Sequence, residues 1–186
     1  MRNITIIGTG YVGLVSGAGI SDFGHKVICA DVVKSKIKCL QDGEIPIYEP
    51  ELDDLVERNA KAGRLSFTTD VAGAVQPAEV VFIAVGTPQS ENGEADISAI
   101  ETVAKTIGEN LNTYKVICTK STVPIGTGDL ISRIVNEHRN DSERFAVVSN
   151  PEFQREGTAV QDFLHPDRVV VGSADKAAAD RVAELY

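Results

Sequence analysis

Short apolar runs alternate with longer amphipathic stretches along the whole chain. Runs rich in β-branched residues predict strands at 4–8, 27–31, 65–68, 80–85, 116–119, 146–149 and 168–171. The stretches between them predict helices at 11–23, 34–41, 51–62, 97–110, 126–139 and from 174 onward. The runs near Val80, Val116 and Ala146 are continuously apolar, which is typical of parallel strands that helices cover on both faces. The pattern therefore predicts an α/β protein with a doubly wound, mostly parallel sheet.

A GxGxxG pattern, residues 8–13, directly follows the first apolar run and opens the first predicted helix. In such a turn Gly8 allows the sharp bend, Gly10 lets a pyrophosphate approach the backbone, and Gly13 lets the helix pack closely on the strand. The second apolar run ends at Asp31, where a carboxylate can accept hydrogen bonds from ribose hydroxyls and repel a 2′-phosphate. Because a glycine pattern alone also occurs in loops without ligands, the strand–helix–strand context carries the interpretation. It predicts a Rossmann-like fold that binds NAD in preference to NADP.

Polar loops follow the fourth, fifth and sixth predicted strands. They read VGTP at 85–88, KSTVP at 120–124 and NPEFQREG at 150–157. Ligands of doubly wound sheets bind outside the carboxyl ends of the strands. We therefore expect polar groups from these three loops to converge on one crevice.

The composition restricts the classes of partner. The chain has 186 residues with 42% hydrophobic content, which is enough for one core, so a single domain over residues 1–186 is expected. A net charge of −9 disfavours a nucleic acid or a membrane surface as partner, whereas a small anionic ligand needs only local N–H dipoles and a few lysines. No apolar run reaches about 18 residues and no signal-like segment precedes the first strand, so a cytoplasmic location is expected.

The cysteines and histidines show no metal-binding arrangement. The three cysteines occur singly without CxxC spacing, and the three histidines are scattered. Cys29 and Cys118 fall in predicted strands, where a small buried side chain is their expected role. We predict free thiols and no metal site.

Six motifs carry a resemblance to a known family. They are GTGYVGLV at 8–15, IPIYEP at 45–50, VGTP at 85–88 followed by Ala95-Asp96, KSTVPIGT at 120–127, NPEFQREG at 150–157 and HPDRV at 165–169. In this order, over essentially the whole chain, they resemble the N-terminal part of the UDP-glucose/GDP-mannose dehydrogenases. Lys120 in KSTVP and the PDR motif are more similar to the UDP-glucose branch of that family.

The resemblance implies an activity and a set of site residues. The family oxidises the C6 alcohol of a sugar nucleotide such as UDP-glucose to a carboxylate, with two NAD and a cysteine-bound intermediate. Carried over by position, it implies NAD contacts at Gly8, Gly10, Tyr11, Val12, Gly13, Asp31, Lys36, Thr87, Thr122 and Glu156. It implies a sugar-nucleotide site along Glu152, Phe153, Gln154, Arg155 and Glu156, with Thr122, Glu152 and Glu156 as the catalytic set. Glu152 matches the general base that hydrolyses the intermediate, and Thr122 matches the threonine that holds the attacking water.

Two positions of the 150–157 segment leave their roles open. The family has leucine where this chain has Gln154, which affects affinity more than function. Arg155 could approach a substrate phosphate or pair with a nearby carboxylate. Glu152 and Glu156 could instead form an i, i+4 pair on a solvated helix, although the preceding Asn150-Pro151 disfavours a helix there.

The family's nucleophilic cysteine, catalytic lysine and asparagine match nothing in this chain. The resemblance therefore implies an NAD-binding domain that needs a further sugar-nucleotide domain for turnover, within a homodimeric enzyme. Three alternatives remain: a GDP-mannose or UDP-N-acetylmannosamine dehydrogenase of the same family, an NAD-linked dehydrogenase of a hydroxyacid or hydroxyacyl-CoA, and a non-enzymatic nucleotide-sensing module.

Overall fold

The computed structural model describes residues 1–140 and 144–186, which form a six-stranded sheet with helices on both faces. The strands are β1 Asn3–Ile7, β2 Lys26–Ala30, β3 Leu65–Thr68, β4 Val80–Ile83, β5 Lys115–Thr119 and β6 Phe145–Ser149. The helices are α1 Tyr11–Asp22, α2 Lys34–Gln41, α3 Leu52–Lys61, α4 Val71–Val75, α5 Ser98–Glu109, α6 Thr127–His138, α7 Ala159–Leu164 and α8 Lys176–Ala183. None of the helices in the described ranges has the length and apolar character needed to cross a bilayer.

The strand order is β3-β2-β1-β4-β5-β6, and every neighbouring pair is parallel. This order confirms the predicted doubly wound, Rossmann-like α/β fold. Strands β2 and β3 lie on one side of β1, and β4, β5 and β6 lie on the other. The loops after β1 and β4 therefore diverge and leave a crevice at the carboxyl ends of these strands. The glycine turn after β1 lies at this crevice.

Most predicted elements are confirmed to within two residues at each end. The pattern missed α4 and α7, which have 5 and 6 residues. Helices of this length span less than two turns, so they show too little 3.6-residue periodicity to be recognised.

The predicted seventh strand, 168–171, is wrong. That stretch is irregular, and Val169 and Val170 are 37% and 41% exposed. The next residue, Gly172, forms one isolated antiparallel bridge in which its N–H and carbonyl both bond to Ser149 at 2.8 Å, and the Ser173 hydroxyl donates to the Val147 carbonyl oxygen at 2.9 Å. The run is β-branched and apolar, but the described residues give it no strand to pair with along its length. Val171 packs partly against the core, whereas Val169 and Val170 stay exposed.

Successive residues of the central strands point to opposite faces of the sheet and pack into two apolar layers. Phe82 of β4 points into the layer beneath α1, α3, α7 and α8, while Val81 and Ile83 point into the layer beneath α5 and α6. All residues of β4 and β5 are buried, as predicted from their continuous apolar runs. The run at Ala146 forms the parallel edge strand β6, and both of its faces pack against apolar layers as predicted, but Phe145 and Val147 on one face are only half-buried.

Candidate functional site

The glycine turn, residues 8–13, joins β1 to α1 and is shaped by two close backbone approaches. Gly8 has φ of +104°, and a Cβ there would lie 2.5 Å from the carbonyl oxygen of Ala84. A Cβ on Gly13 would lie 1.9 Å from the carbonyl oxygen of Gly8. A Cβ on Gly10, in contrast, would meet nothing within 4 Å. The fold itself therefore needs Gly8 and Gly13, whereas Gly10 leaves free space in front of the start of α1, where a phosphate group can approach the helix N-terminus.

Asp31 follows β2 beside this turn and is held as a carboxylate. Its oxygens accept hydrogen bonds from the Thr9 N–H and hydroxyl, both at 2.8 Å, and from the Val33 N–H at 2.9 Å. Burial alone raises the pKa of Asp31, but these hydrogen bonds and the charge of Lys36 outweigh it and hold the pKa below its ordinary value. The side chain is thus an ionised acceptor at neutral pH, as a ribose-binding acid must be.

A cavity of about 470 Å³ lies between the glycine turn, Asp31 and the loop after β4. Gly8, Gly10 and Lys36 line it on one side, and helix α5 contributes apolar side chains such as Val103 on the other. Its volume is in the range of small-molecule sites, and its mixture of apolar wall, carboxylate and open backbone suits a nucleoside with a phosphate. The predicted contacts Gly8, Gly10, Asp31 and Lys36 therefore lie together.

The loops after β4 and β5 hold each other in place. The Thr87 hydroxyl donates to the Thr122 carbonyl oxygen at 2.9 Å, and the Ser121 hydroxyl donates to the Val85 carbonyl oxygen at 2.7 Å. The Thr122 side chain is exposed at the carboxyl edge of the sheet. The structure thus brings two more predicted site residues, Thr87 and Thr122, into contact, and leaves the Thr122 hydroxyl accessible.

The loop 150–157 after β6 is irregular over residues 151–155, so Glu152 and Glu156 do not form an i, i+4 pair on a helix. Glu152 folds back to accept the N–H of Gln154 at 2.5 Å. Gln154 donates its amide to the Ser16 hydroxyl of α1 at 3.1 Å, while its Oε1 is buried without a partner among the described residues. Phe153 is 58% exposed. The loop thus presents one ring to the outside and anchors itself to α1.

Arg155 has a local partner. Its guanidinium bonds to both carboxylate oxygens of Asp162 in α7, at 2.6 and 3.1 Å, and its backbone N–H bonds to the same carboxylate at 2.9 Å. The Arg155 hydrogen bonds lower the pKa of Asp162 to about 2. Of the two roles left open by the sequence, the structure shows the pairing with a nearby carboxylate.

Lys120 is a buried ammonium that sequence reasoning did not include in the site. It is 3% exposed, and Nζ donates to the Tyr186 phenol oxygen at 2.9 Å and to Asn150 Oδ1 at 3.2 Å. The phenol of Tyr186 donates in turn to Asn150 Oδ1 at 2.7 Å. Burial beside these neutral partners lowers the pKa of Lys120 to about 8. The sequence signs were its position directly after a continuously apolar strand and its place at the start of the KSTVP loop.

This network forms one wall of a small cavity of about 40 Å³, which Glu152 and Gln154 also line. A space of this size holds a water molecule or one small polar group. The polar residues after β5 and β6 therefore meet, as expected from their positions at the carboxyl edge of the sheet.

Tyr11 lies in the glycine turn but its phenol points elsewhere. The hydroxyl donates to the carboxylate of Glu49, and burial together with this bond raises the pKa of Tyr11 to about 12. Val12 is half-buried in the first turn of α1. The predicted contact of Tyr11 with a cofactor can therefore involve its backbone, while its side chain faces the 150–157 loop.

The thiols of β2 and β5 are not placed for chemistry. Cys29 and Cys118 have no exposed surface, and burial raises the pKa of each to about 12. A thiol in this state is a poor nucleophile at neutral pH. Residues 1–140 and 144–186 also contain no cluster of histidine, cysteine and acidic side chains that could hold a metal ion.

The chain is similar in sequence to curated UDP-glucose 6-dehydrogenases. The UDP-glucose 6-dehydrogenase TuaD of Bacillus subtilis (strain 168) is 52% identical over 186 residues, which cover 100% of this chain and 40% of that protein. The UDP-glucose 6-dehydrogenase of Rhizobium meliloti (strain 1021) is 51% identical over 98% of this chain and 42% of that protein. The chain thus spans about 40% of the length of these curated relatives.

Solved structures of dehydrogenases from this family are also similar to the chain. A UDP-glucose dehydrogenase from Pyrobaculum islandicum has a TM-score of 0.97 and 39% identity over 100% of this chain and 44% of that one. A GDP-mannose dehydrogenase from Pseudomonas aeruginosa has a TM-score of 0.95 and 38% identity over 99% and 44%. The family model described as "UDP-glucose/GDP-mannose dehydrogenase family, NAD binding domain" matches residues 2–186. Because this match spans nearly every residue, the chain belongs to the UDP-glucose/GDP-mannose dehydrogenase family, of which it is the NAD-binding domain.

Proposed function

We propose that this chain is the cofactor domain of a UDP-glucose 6-dehydrogenase, which oxidises UDP-glucose to UDP-glucuronate. The single observation that carries the proposal is the 52% identity, over the whole chain, with a protein named for that activity. The geometry supports it, because the cavity beside Asp31 and the loops after β4, β5 and β6 open at one edge of the sheet. The runner-up is oxidation of GDP-mannose, since the GDP-mannose dehydrogenase structure is nearly as similar as that of the UDP-glucose enzyme.

The proposed chemistry balances over two oxidations and one hydrolysis. NAD, when bound, accepts a hydride from C6 in each oxidation, while a proton leaves to a base or to solvent. A cysteine thiol from outside these 186 residues adds to the aldehyde, and the second oxidation converts the adduct to a thioester. Water then attacks the thioester carbon, the C–S bond breaks, and the thiol is released together with the carboxylate.

Residues of this chain are assigned to cofactor binding and to the hydrolytic step. Backbone N–H groups around Gly10 donate to the pyrophosphate oxygens, and Asp31 accepts hydrogen bonds from the ribose hydroxyls. Glu152 takes a proton from the attacking water, and the Thr122 hydroxyl orients that water. Glu156 is assigned to the NAD side of the same loop. The assignment of one water to both Thr122 and Glu152 fits their positions, because their loops follow the neighbouring strands β5 and β6.

The test uses the longer protein that carries this chain and follows NADH formation with UDP-glucose, GDP-mannose and UDP-N-acetylmannosamine. We expect UDP-glucose to be oxidised with two NADH per sugar, and the 186-residue chain alone to form none. In the longer protein, Glu152→Gln should let a covalent sugar intermediate accumulate, visible by intact mass. NADH formation by the isolated chain that survives replacement of all three cysteines would contradict the assignment.

The assembly and location follow from the proposed enzyme. We propose a cytoplasmic homodimer that supplies UDP-glucuronate for polysaccharide biosynthesis. Light scattering of the longer protein tests the dimer, with a monomer as the contradicting result.

A further inference from the structure

Glu49, in the IPIYEP segment at 45–50, is a buried carboxylate outside the site described above. It is only 4% exposed although it precedes α3 in a surface connection. Its oxygens accept hydrogen bonds from the phenol of Tyr11, from the N–H of Gly157 at 2.8 Å and from the N–H of Ala159 at 2.8 Å. The Gly157 N–H also reaches the Tyr11 hydroxyl at 3.1 Å. Burial and three hydrogen-bond donors therefore fix the position of the Glu49 carboxylate.

The three donors come from parts of the chain that have different tasks in the proposed function. Tyr11 is the first residue of α1 and directly follows Gly10 of the glycine turn. Gly157 directly follows Glu156, which is assigned to the NAD side of the 150–157 loop. Ala159 begins α7. Glu49 therefore connects the pyrophosphate end of the cofactor site to the loop that carries Glu152 and Glu156.

A carboxylate suits this position better than an amide of the same size. Both Glu49 oxygens are acceptors, and each faces a backbone N–H. A glutamine there would turn one NH₂ group toward one of these N–H donors and leave that donor unpaired. Burial alone raises the pKa of Glu49, but the hydrogen bonds from Tyr11, Gly157 and Ala159 outweigh it and keep the pKa below its ordinary value.

We infer that Glu49 is a positioning residue for the cofactor: it fixes the 150–157 loop relative to the glycine turn, so that Glu156 and the backbone beyond Gly10 meet the same NAD molecule. The inference rests on the proposed NAD contacts of these two segments. It assigns a role to the IPIYEP segment, which touches neither the cavity beside Asp31 nor the cavity beside Lys120.

The test compares Glu49→Gln with Glu51→Gln in NAD titrations of the 186-residue chain by calorimetry. Glu51 is a matched control, because it also holds α7, accepting the amide of Gln161 at 2.7 and 2.9 Å, but it is exposed and contacts neither the turn nor the loop. Circular dichroism and urea unfolding establish that each variant is folded at the titration temperature. We expect the Kd for NAD to rise about tenfold in Glu49→Gln and to stay within about twofold in Glu51→Gln.

A merely structural role would lower the urea midpoint of Glu49→Gln and leave the Kd of the folded protein unchanged, and that result would overturn the inference. If Glu49→Gln does not fold, Tyr11→Phe decides. It removes only the phenol, and an unchanged Kd in that variant would equally refute the proposal, whereas a rise of about threefold or more would support it. If the unmodified chain does not bind NAD, the proposed cofactor contacts themselves are refuted. If it binds NAD and Glu49→Gln binds NAD equally well, only the role of Glu49 is refuted.

Discussion

The turn after β1 and the loop after β6 lie at the same edge of the sheet but are held in different ways. The glycine turn is fixed by close approaches of backbone to backbone, of Gly13 to Gly8 and of Gly8 to Ala84. The 150–157 loop is fixed by side chains from distant segments: Ser16 holds Gln154, Glu49 holds Gly157, and Lys120 holds Asn150. The turn is therefore held by backbone geometry that only glycine permits, while the loop is held by side-chain hydrogen bonds from separate segments.

This difference predicts where substitutions act on folding and where they act on binding. At Gly8 and Gly13 of the glycine turn, an added methyl group would collide with backbone atoms. In the loop, removal of one side chain leaves its former partners unpaired but does not force backbone atoms into each other.

The largest expected effect is that of Gly13→Ala. Its Cβ would lie 1.9 Å from the carbonyl oxygen of Gly8, so helix and turn must separate. We expect a loss of about 3 kcal/mol in the free energy of unfolding, measured by urea denaturation. Gly10→Ala is the matched control, since its Cβ meets nothing within 4 Å, and its change should stay within about 0.5 kcal/mol. Equal effects of the two substitutions would contradict the account of the turn.

Asp31→Ala should weaken NAD binding by about 1 to 3 kcal/mol, because a buried charged acceptor of the ribose hydroxyls is lost. The N–H groups of Thr9 and Val33 also lose their acceptor, so stability should fall as well. Calorimetric titration with NAD measures the loss of binding, and urea unfolding measures the loss of stability. The unmodified chain should bind NADP more weakly than NAD, and equal or tighter binding of NADP would show that Asp31 does not face the ribose.

Lys120 should make stability depend on pH in a narrow window. Its pKa is about 8 in the folded chain and about 10.4 in the unfolded one, so the unfolded chain binds more protons and stability rises with pH above 8. Between pH 8 and 9 the unmodified chain should gain about 1 kcal/mol relative to Lys120→Met. Taking this difference removes the opposing contribution of the buried thiols, which both proteins share. A difference that does not change with pH would mean that Lys120 is not desolvated.

The smallest expected effect is that of Arg155→Ala. The guanidinium side chain is 78% exposed, so its ion pair with Asp162 is screened by solvent. We expect only a small loss in unfolding free energy, which decreases further in high salt. A larger loss that does not respond to salt would show that Arg155 anchors the loop more firmly than its exposure indicates.

The sequence predicted the glycine-turn half of the site well because its information is local. The spacing of Gly8, Gly10 and Gly13 after an apolar strand, with Asp31 at the end of the next one, describes a backbone shape that few other residues permit. The hydrophobic pattern likewise predicted the doubly wound parallel sheet and most boundaries of the strands and helices. It failed at 168–171, where a β-branched run has no strand beside it over its length.

For the loops after β5 and β6, the sequence indicated where the site residues lie but not which side chains contact each other. Motifs at the ends of β5 and β6 indicated which segments meet, yet the contacts of Lys120 with Tyr186 and of Glu49 with Gly157 join residues 66 and 108 positions apart. No periodicity or spacing encodes such pairs, because they result from how helices α1, α7 and α8 pack on the sheet. The buried state of Lys120 and Glu49 likewise becomes visible only in three dimensions.

The central claim is that NAD binds with its pyrophosphate against Gly10, and Gly10→Val tests it most directly. The valine side chain would occupy the free space in front of α1, which the fold does not use. In calorimetric titrations, the account predicts that Gly10→Val unfolds in urea near the midpoint of the unmodified chain but binds NAD at least about tenfold more weakly. A Gly10→Val chain that is folded and binds NAD with unchanged affinity would show that the phosphates lie elsewhere and would contradict the account.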